Sequence, residues 1–263
     1  MQGALLNVDI ESLAVSLGGR AVLHNLTLSI PKGSSTAIVG ASGAGKTTLL
    51  RCVAGLLPAT SGRVLVDRRE PACLYGQGAM AFLFQEACLW RHLTAQQTLE
   101  LTFELYGRQP GDGEVAGLLA RVGLSGFGGY YPHQMSVGMK ARLAIARAFC
   151  VSPSLLLMDE PFAALDPLRR LDLNRQVQAM RLEAGCTVMW VTHDVVEALQ
   201  FATHIIALPH GSRPTQLIDL GNLPRIEDGA NLPLEALAMR DRLLETIVGQ
   251  HSPTERLSAE VLG

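Results

Sequence analysis

Short apolar runs separated by polar turns open this chain. Val8 to Leu17 and Leu23 to Ile30 are predicted strands, joined by the turn Gly18-Gly19-Arg20. A second turn, Pro31-Lys32-Gly33, leads into Ser35 to Val39, a continuous apolar run of the kind carried by a strand buried on both faces. The spacing then becomes helical: Lys46 to Leu57 places Leu49, Val53 and Leu56 on one face, and Pro58 follows its end. Arg63 to Asp67 and Ala79 to Phe84 are predicted as further strands.

From Glu86 to Cys150 the apolar spacing is helical, with breaks near Gly107-Arg108-Gln109-Pro110-Gly111 and Gly126-Phe127-Gly128-Gly129. This stretch is expected to be a mostly helical insert. Buried strands return at Leu155 to Met158 and Val188 to Val191, with a helix between them near Leu171 to Glu183. Ile205 to Leu208 reads as another strand. Leu234 to Val248 reads as a terminal helix, with Leu237, Leu244 and Val248 on one side. Strands alternating with helices predict an α/β domain with a largely parallel sheet.

Composition narrows the function. With 263 residues, 48% of them hydrophobic, the chain can bury a core in one large domain or two modest ones. Lys and Arg total 22 against 24 Asp and Glu, and this lack of a basic excess argues against a nucleic-acid partner. The five cysteines, Cys52, Cys73, Cys88, Cys150 and Cys186, are scattered and form no CxxC pair, so a reducing compartment is expected. The opening MQGALLNVDIES lacks the character of a signal peptide, and no apolar run approaches the ~20 residues that span a bilayer. Work at a membrane would proceed from its surface, through a partner.

The candidate chemistry starts at Gly40-Ala41-Ser42-Gly43-Ala44-Gly45-Lys46-Thr47-Thr48, between a predicted strand and a predicted helix. Gly40, Gly45, Lys46 and Thr47 fit the phosphate-loop pattern G-x-x-x-x-G-K-[ST] in its confirming context. A polyphosphate must approach backbone N–H groups closely, and the helix N-terminus supplies unpaired donors and a partial positive charge. Lys46 is placed to reach the β- and γ-phosphates and Thr47 to sit on Mg²⁺. Downstream, Leu155 to Met158 ends in Asp159-Glu160-Pro161, at the carboxyl end of a strand where open α/β sheets bind ligands. Asp159 is placed for the metal. Glu160 is placed to orient or deprotonate water.

These two elements, with others in order and at suitable spacing, make the chain resemble the ATP-binding-cassette ATPases, the motor subunits of ABC transporters. Phe84-Gln85 is similar to the family's Q-loop, Met135-Ser136-Val137-Gly138-Met139 lies where the family carries its signature, Ala163-Ala164-Leu165-Asp166 is similar to the D-loop, and Thr192-His193-Asp194 to the H-loop. The resemblance implies a P-loop NTPase (RecA-like) core with a mostly parallel sheet, an antiparallel β subdomain and a helical insert subdomain. It implies one nucleotide-binding domain over 1–215, with the core at about 1–85 and 151–215, the helical subdomain at about 86–150, and a C-terminal extension at 216–263. It implies ATP and Mg²⁺ as ligands: phosphate contacts from Gly40 to Thr48, metal contacts from Thr47, Gln85 and Asp159, and catalytic roles for Glu160, His193 and Gln85. Ser136, Val137 and Gly138 would face the γ-phosphate held by a second copy, so a homodimer sandwiching two ATP molecules is expected.

Two positions depart from the family pattern. Val137 stands where the signature usually has a glycine, and a β-branched residue resists positive φ and close backbone approach, so a working but slowed composite site is expected. Leu17 stands where an aromatic residue usually stacks on adenine, which costs on the order of 1 kcal/mol of stacking. Among members of the family, a single cassette without a spanning segment fits an importer subunit, peripheral on the cytoplasmic face of the inner (plasma) membrane. Its expected partners are transmembrane permease subunits and, through them, a periplasmic or extracellular binding protein. Leu89-Trp90-Arg91-His92-Leu93-Thr94 resembles the stretch that receives the permease. The tail stretches Leu220 to Arg225 and Leu237 to Leu244 resemble nitrate/sulfonate/taurine-type importer subunits, with a phospholipid-trafficking cassette as the alternative.

Overall fold

The computed structural model describes residues 5–163, 165–209, 214–223 and 233–248. Ala164 of the expected D-loop, the tail residues Pro224 and Arg225, the side chain of Val248 and residues 249–263 of the expected C-terminal extension lie outside the described residues.

The chain opens as an antiparallel layer. Strand β1 (Val8–Leu17) pairs with β2 (Arg20–Ile30), and Leu17 faces Arg20 across the two-residue turn Gly18-Gly19. The second strand therefore starts three residues before the predicted Leu23. Strand β3 (Ser35–Gly40) is the predicted fully buried strand, with every residue from Ser35 to Val39 inside. Helix α1 (Lys46–Val53) is four residues shorter than expected. The chain leaves the helix at Ala54 and reverses at Gly55, φ +66°, and Leu56 is consequently exposed rather than on the packed face. Strand β4 (Ser61–Val66) completes the antiparallel layer in the order β2-β1-β4.

The second layer is a six-stranded sheet. Strand β5 (Met80–Leu83) precedes the helical insert, which contains α2 (Ala95–Leu105), α3 (Glu114–Arg121) and α4 (Val137–Phe149). Thr94 starts α2 through a capping box with Gln97. After the insert come β6 (Leu155–Asp159), α5 (Pro167–Ala184), β7 (Thr187–Val191), α6 (Val195–Phe201), β8 (His204–Leu208), β9 (Gln216–Asp219) and α7 (Leu234–Val248). The strand order is β5-β6-β7-β3-β8-β9, parallel except for β9. The domain limit expected at 215 thus falls just before a strand that pairs with β8.

Alternation within the strands separates two cores. Ala37, Val39, Leu156, Met158, Val188 and Trp190 face the insert, α5, α6 and α7. Ile38, Leu155, Leu157, Met189 and Val191 face α1 and the antiparallel layer. Leu243 and Ile247 of α7 belong to the first core, so the terminal helix packs on the same sheet. This layering places the carboxyl ends of β5, β6, β7 and β3 side by side, and every candidate catalytic residue follows one of them.

Candidate functional site

The loop between β3 and α1 is shaped by its neighbours. A Cβ at Gly40 would lie 2.6 Å from the carbonyl oxygen of Leu208, on β8. Gly45 caps α1 at φ +94°, and a Cβ there would lie 2.8 Å from Leu23 Cδ2 and 3.0 Å from Val22 Cγ1. Both glycines are therefore required by the fold itself. Ala41, Ser42, Gly43 and Ala44 form the turn between them, and Thr47 and Thr48 lie in the first turn of α1. Val22 was not singled out in the sequence. Its signal was position, two residues past the hairpin, and it walls the loop.

Lys46 is buried and folded back, donating to the carbonyl oxygens of Gly40 at 2.9 Å and Ala41 at 3.0 Å. Burial lowers its pKa, while the nearby Glu160 and Asp159 carboxylates oppose that shift. Thr47 Oγ1 donates to Asp159 Oδ1 at 2.8 Å, and Asp159 is buried at the end of β6. The next residue, Glu160, has φ +46° immediately before Pro161. Such a backbone costs on the order of 1–3 kcal/mol for a non-glycine residue and concentrates at working sites. Gln85, two residues beyond β5, reaches toward it, with Nε2 at 3.5 Å from Glu160 Oε2. His193 is exposed after β7 and lines a small cavity together with Glu160. The fold thus gathers Lys46, Thr47, Gln85, Asp159, Glu160 and His193 at one edge of the sheet.

A hydroxyl and a carboxylate in contact beside a phosphate loop fit Mg²⁺, which takes few protein oxygens and completes its shell with water and phosphate. Among the described residues no group of three or more His, Cys, Asp or Glu side chains forms a dedicated metal cage.

The remaining candidates are Leu17 and the residues at the start of α4. Leu17 ends β1, exposed. Ser136 caps α4 through a bond from Met139 N to its Oγ at 3.2 Å. Val137 is the first helical residue, 59% exposed, and is absent from the positive-φ residues. The expected clash between valine and a left-handed backbone is thereby corrected: a helix start requires φ < 0, which valine adopts freely. Gly138 abuts the D-loop, since a Cβ there would meet Leu165 Cδ2 at 3.0 Å. Val137 also lines a cleft of about 290 Å³ with Phe84, Gln85, Glu160 and Leu165.

Sequence reading missed the clamp between the insert and the Q-loop. Arg147 of α4 donates to the carbonyl oxygens of Cys88 at 2.7 Å and Ala87 at 3.3 Å, and its guanidinium lies 5.7 Å from the Trp90 ring centroid. It also missed α6, a seven-residue helix whose signal was the cap: Asp194 Oδ1 accepts from Val196 N and Glu197 N. Behind that cap, burial raises the pKa of Glu197, against hydrogen bonds from Thr192 and Asn174.

A phosphate loop on a parallel sheet, an antiparallel layer beside it and a helical insert before the acidic strand end define an ATP-binding-cassette domain. The chain belongs to the ABC transporter family, whose sequence pattern matches residues 23–163. It is 36% identical over 213 residues to the sulfate/thiosulfate import ATP-binding protein CysA 1 of Chromobacterium violaceum, covering 78% of this chain and 60% of that one. It is 34% identical over 251 residues to CysA of Shigella flexneri, covering 93% and 68%. The chain therefore spans roughly three-fifths to two-thirds of these relatives. Among solved structures, the ATP-binding cassette MJ0796, a dimeric post-hydrolysis state bound to ADP and Pi, superposes with TM-score 0.72 at 29% identity over 82% of this chain and all of that chain. The cbiO1 protein of Clostridium perfringens, part of the ABC transporter complex cbiONQ, gives TM-score 0.67 at 26% identity over 76% of this chain and 83% of that chain.

Proposed function

We propose that this chain is the ATP-hydrolysing subunit of an importer, working as a homodimer with ATP at both composite sites. The observation that carries the reading is the Thr47–Asp159 hydrogen bond beside the buried Lys46, which sets a hydroxyl, a carboxylate and an ammonium around a phosphate loop. In this reading the amides from Gly40 to Thr48 and the Lys46 ammonium bind the nucleotide's phosphates. Thr47, Asp159 and Gln85 hold Mg²⁺, which supplies charge neutralisation on the phosphates when bound. Glu160 orients the attacking water and accepts its proton, and His193 holds the γ-phosphate. The partner copy presents Ser136, Val137 and Gly138 from a helix N-terminus, and Leu17 packs on adenine.

The same reading places the subunit on the cytoplasmic face of a membrane, against permease subunits served by a binding protein. Among the described residues no helix is long and apolar enough to cross a membrane. The transported solute is a small anion. The relatives named for sulfate/thiosulfate import support an oxyanion and favour import over phospholipid trafficking. The nitrate/sulfonate/taurine class rests on the tail resemblance alone.

Glu160→Gln tests the core of this reading. The variant is expected to bind ATP, accumulate as a dimer with Mg²⁺ and ATP on size exclusion, and lose turnover. Hydrolysis at the parent rate would remove Glu160 from its role. Uptake of radiolabelled sulfate, compared between cells with and without the chain, tests the solute.

A further inference from the structure

Two turns flank the candidate site from the two sides of α5 and α6. The D-loop runs into α5, capped by Asp166, and the H-loop runs into α6, capped by Asp194. Arg170 stands between them. Its Nη2 donates to the carbonyl oxygen of Leu165 at 3.2 Å, and its Nη1 lies 3.8 Å from Asp194 Oδ2. Its Nε is buried without an acceptor among the described residues.

Asp194 is engaged on both sides. One oxygen holds the first N–H groups of α6, and the other faces Arg170. One turn further along α5, Asn174 Nδ2 donates to Glu197 Oε1 at 3.2 Å, and Thr192 Oγ1 donates to Glu197 Oε2 at 2.6 Å. Thr192 N donates to Ile38 O at 3.2 Å, on the strand that ends in the phosphate loop. Arg170, His193, Glu160 and Glu197 line one small cavity.

Asn174 and Glu197 already fasten the two helices together. Arg170 adds something different, a bond to loop backbone on one side and a charge contact to a cap residue on the other. A planar guanidinium spans both with one rigid fork. We propose that Arg170 is a positioning residue for the hydrolysis assigned above. It links the D-loop, through Leu165, to the turn carrying His193, through Asp194, so displacement of the D-loop at the dimer interface is passed to His193. This inference rests on the ATPase reading of the site.

The test uses the full-length chain. Arg170→Gln is expected to lower kcat by about tenfold to a hundredfold with KM changed less than about twofold, as for a misplaced rather than missing catalytic group. Arg170→Lys, which restores charge without the fork, is expected to recover only part of the rate. Adding Asp194→Asn to Arg170→Gln should cause no further loss, because the two act through one contact. A parent-like kcat in Arg170→Gln, or losses that multiply in the double variant, overturns the proposal. Hydrogen exchange on the nucleotide-free protein reads the link without turnover. Arg170→Gln should speed exchange at residues 192–198 as well as near Leu165, and unchanged exchange at 192–198 also overturns it. A parent chain without ATPase activity whose exchange responds in this way retires the hydrolysis reading and leaves the link standing.

Discussion

Thr47 Oγ1 and Asp159 Oδ1 meet at 2.8 Å, joining the first turn of α1 to the end of β6 across 112 positions of chain. No local sequence rule produces that contact. It follows from strand order and register, because β7 alone separates β6 from β3, and Asp159 lies level, through Val191, with Ile38 near the end of β3. Thr47→Val keeps the shape of the side chain and deletes the hydroxyl. A hydrogen bond to a charged group contributes about 1.5–3 kcal/mol. ATP affinity measured with Mg²⁺ is therefore expected to fall by about tenfold to a hundredfold. Affinity measured with a chelator present should stay close to that of the parent. Equal losses in both conditions would place the Thr47 hydroxyl on the phosphate rather than the metal.

Leu17 ends β1 with its side chain 45% exposed, at the hairpin edge of the antiparallel layer. An exposed aromatic ring there has room to stack on a base without repacking the core. Leu17→Tyr is expected to tighten ATP binding by about fivefold, the equivalent of ~1 kcal/mol of stacking. Titration calorimetry with ATP and with inorganic triphosphate separates base stacking from phosphate binding, since only the former should improve. Unchanged ATP affinity would put the base elsewhere.

How far the sequence reached depends on the kind of information each element needed. Leu155–Met158 was legible because burial on both faces leaves no polar residue to confuse the period, and Ser35–Val39 because it runs into the apolar Ala37-Ile38-Val39, although Ser35 and Thr36 are polar and buried. The phosphate loop was legible because its residue types are dictated by one narrow geometry. Helix α6 was not, since seven residues carry too little period, and strand β9 was not, since its half-buried edge position does not demand an apolar run. The links made by Arg147 and Arg170 were out of reach for a different reason. Arg147 reaches a backbone carbonyl 59 residues away, which carries no sequence signature at the accepting end, and Arg170 ties the Leu165 carbonyl to the Asp194 carboxylate, which only the packing of α5 beside α6 brings together. The positive φ at Glu160 was likewise invisible, since a residue before proline is ordinarily biased toward extended backbone.

Val137 carries the clearest departure from the family pattern, and its backbone is unstrained at the start of α4. Any effect on turnover must then come from the side chain, which in the proposed dimer would crowd the approach of a phosphate to the helix N-terminus. Val137→Gly is expected to raise kcat while leaving ATP affinity of the isolated subunit unchanged, because in the proposed reading that affinity would be set by the loop from Gly40 to Thr48. Steady-state hydrolysis and binding titrations measured on the same preparations check both halves. A lower or equal kcat would show that the valine side chain does not obstruct the composite site.

The five cysteines divide by burial, and their ionisation follows. Cys73 and Cys88 are exposed, whereas Cys52, Cys150 and Cys186 are buried. Burial pushes the Cys52 thiol up to about 11 and those of Cys150 and Cys186 up to about 12, from an ordinary value of 9.0. Thiolate is the reactive form, so iodoacetamide at pH 8 should label the exposed Cys73 and Cys88 in the native protein well ahead of the three buried thiols. The linkage has a definite sign. A thiol whose folded pKa is raised contributes stability that is intact below its unfolded value near 9 and is lost as pH climbs toward 11 to 12. The urea midpoint is therefore expected to fall between pH 9 and pH 10.5, and less so in Cys186→Ala, which removes one of the three groups. Mass spectrometry of the labelled protein reads the first outcome. Labelling of Cys150 or Cys186 at the rate of Cys88 would mean that the core around α4 and the α5–β7 turn opens far more readily than this packing allows.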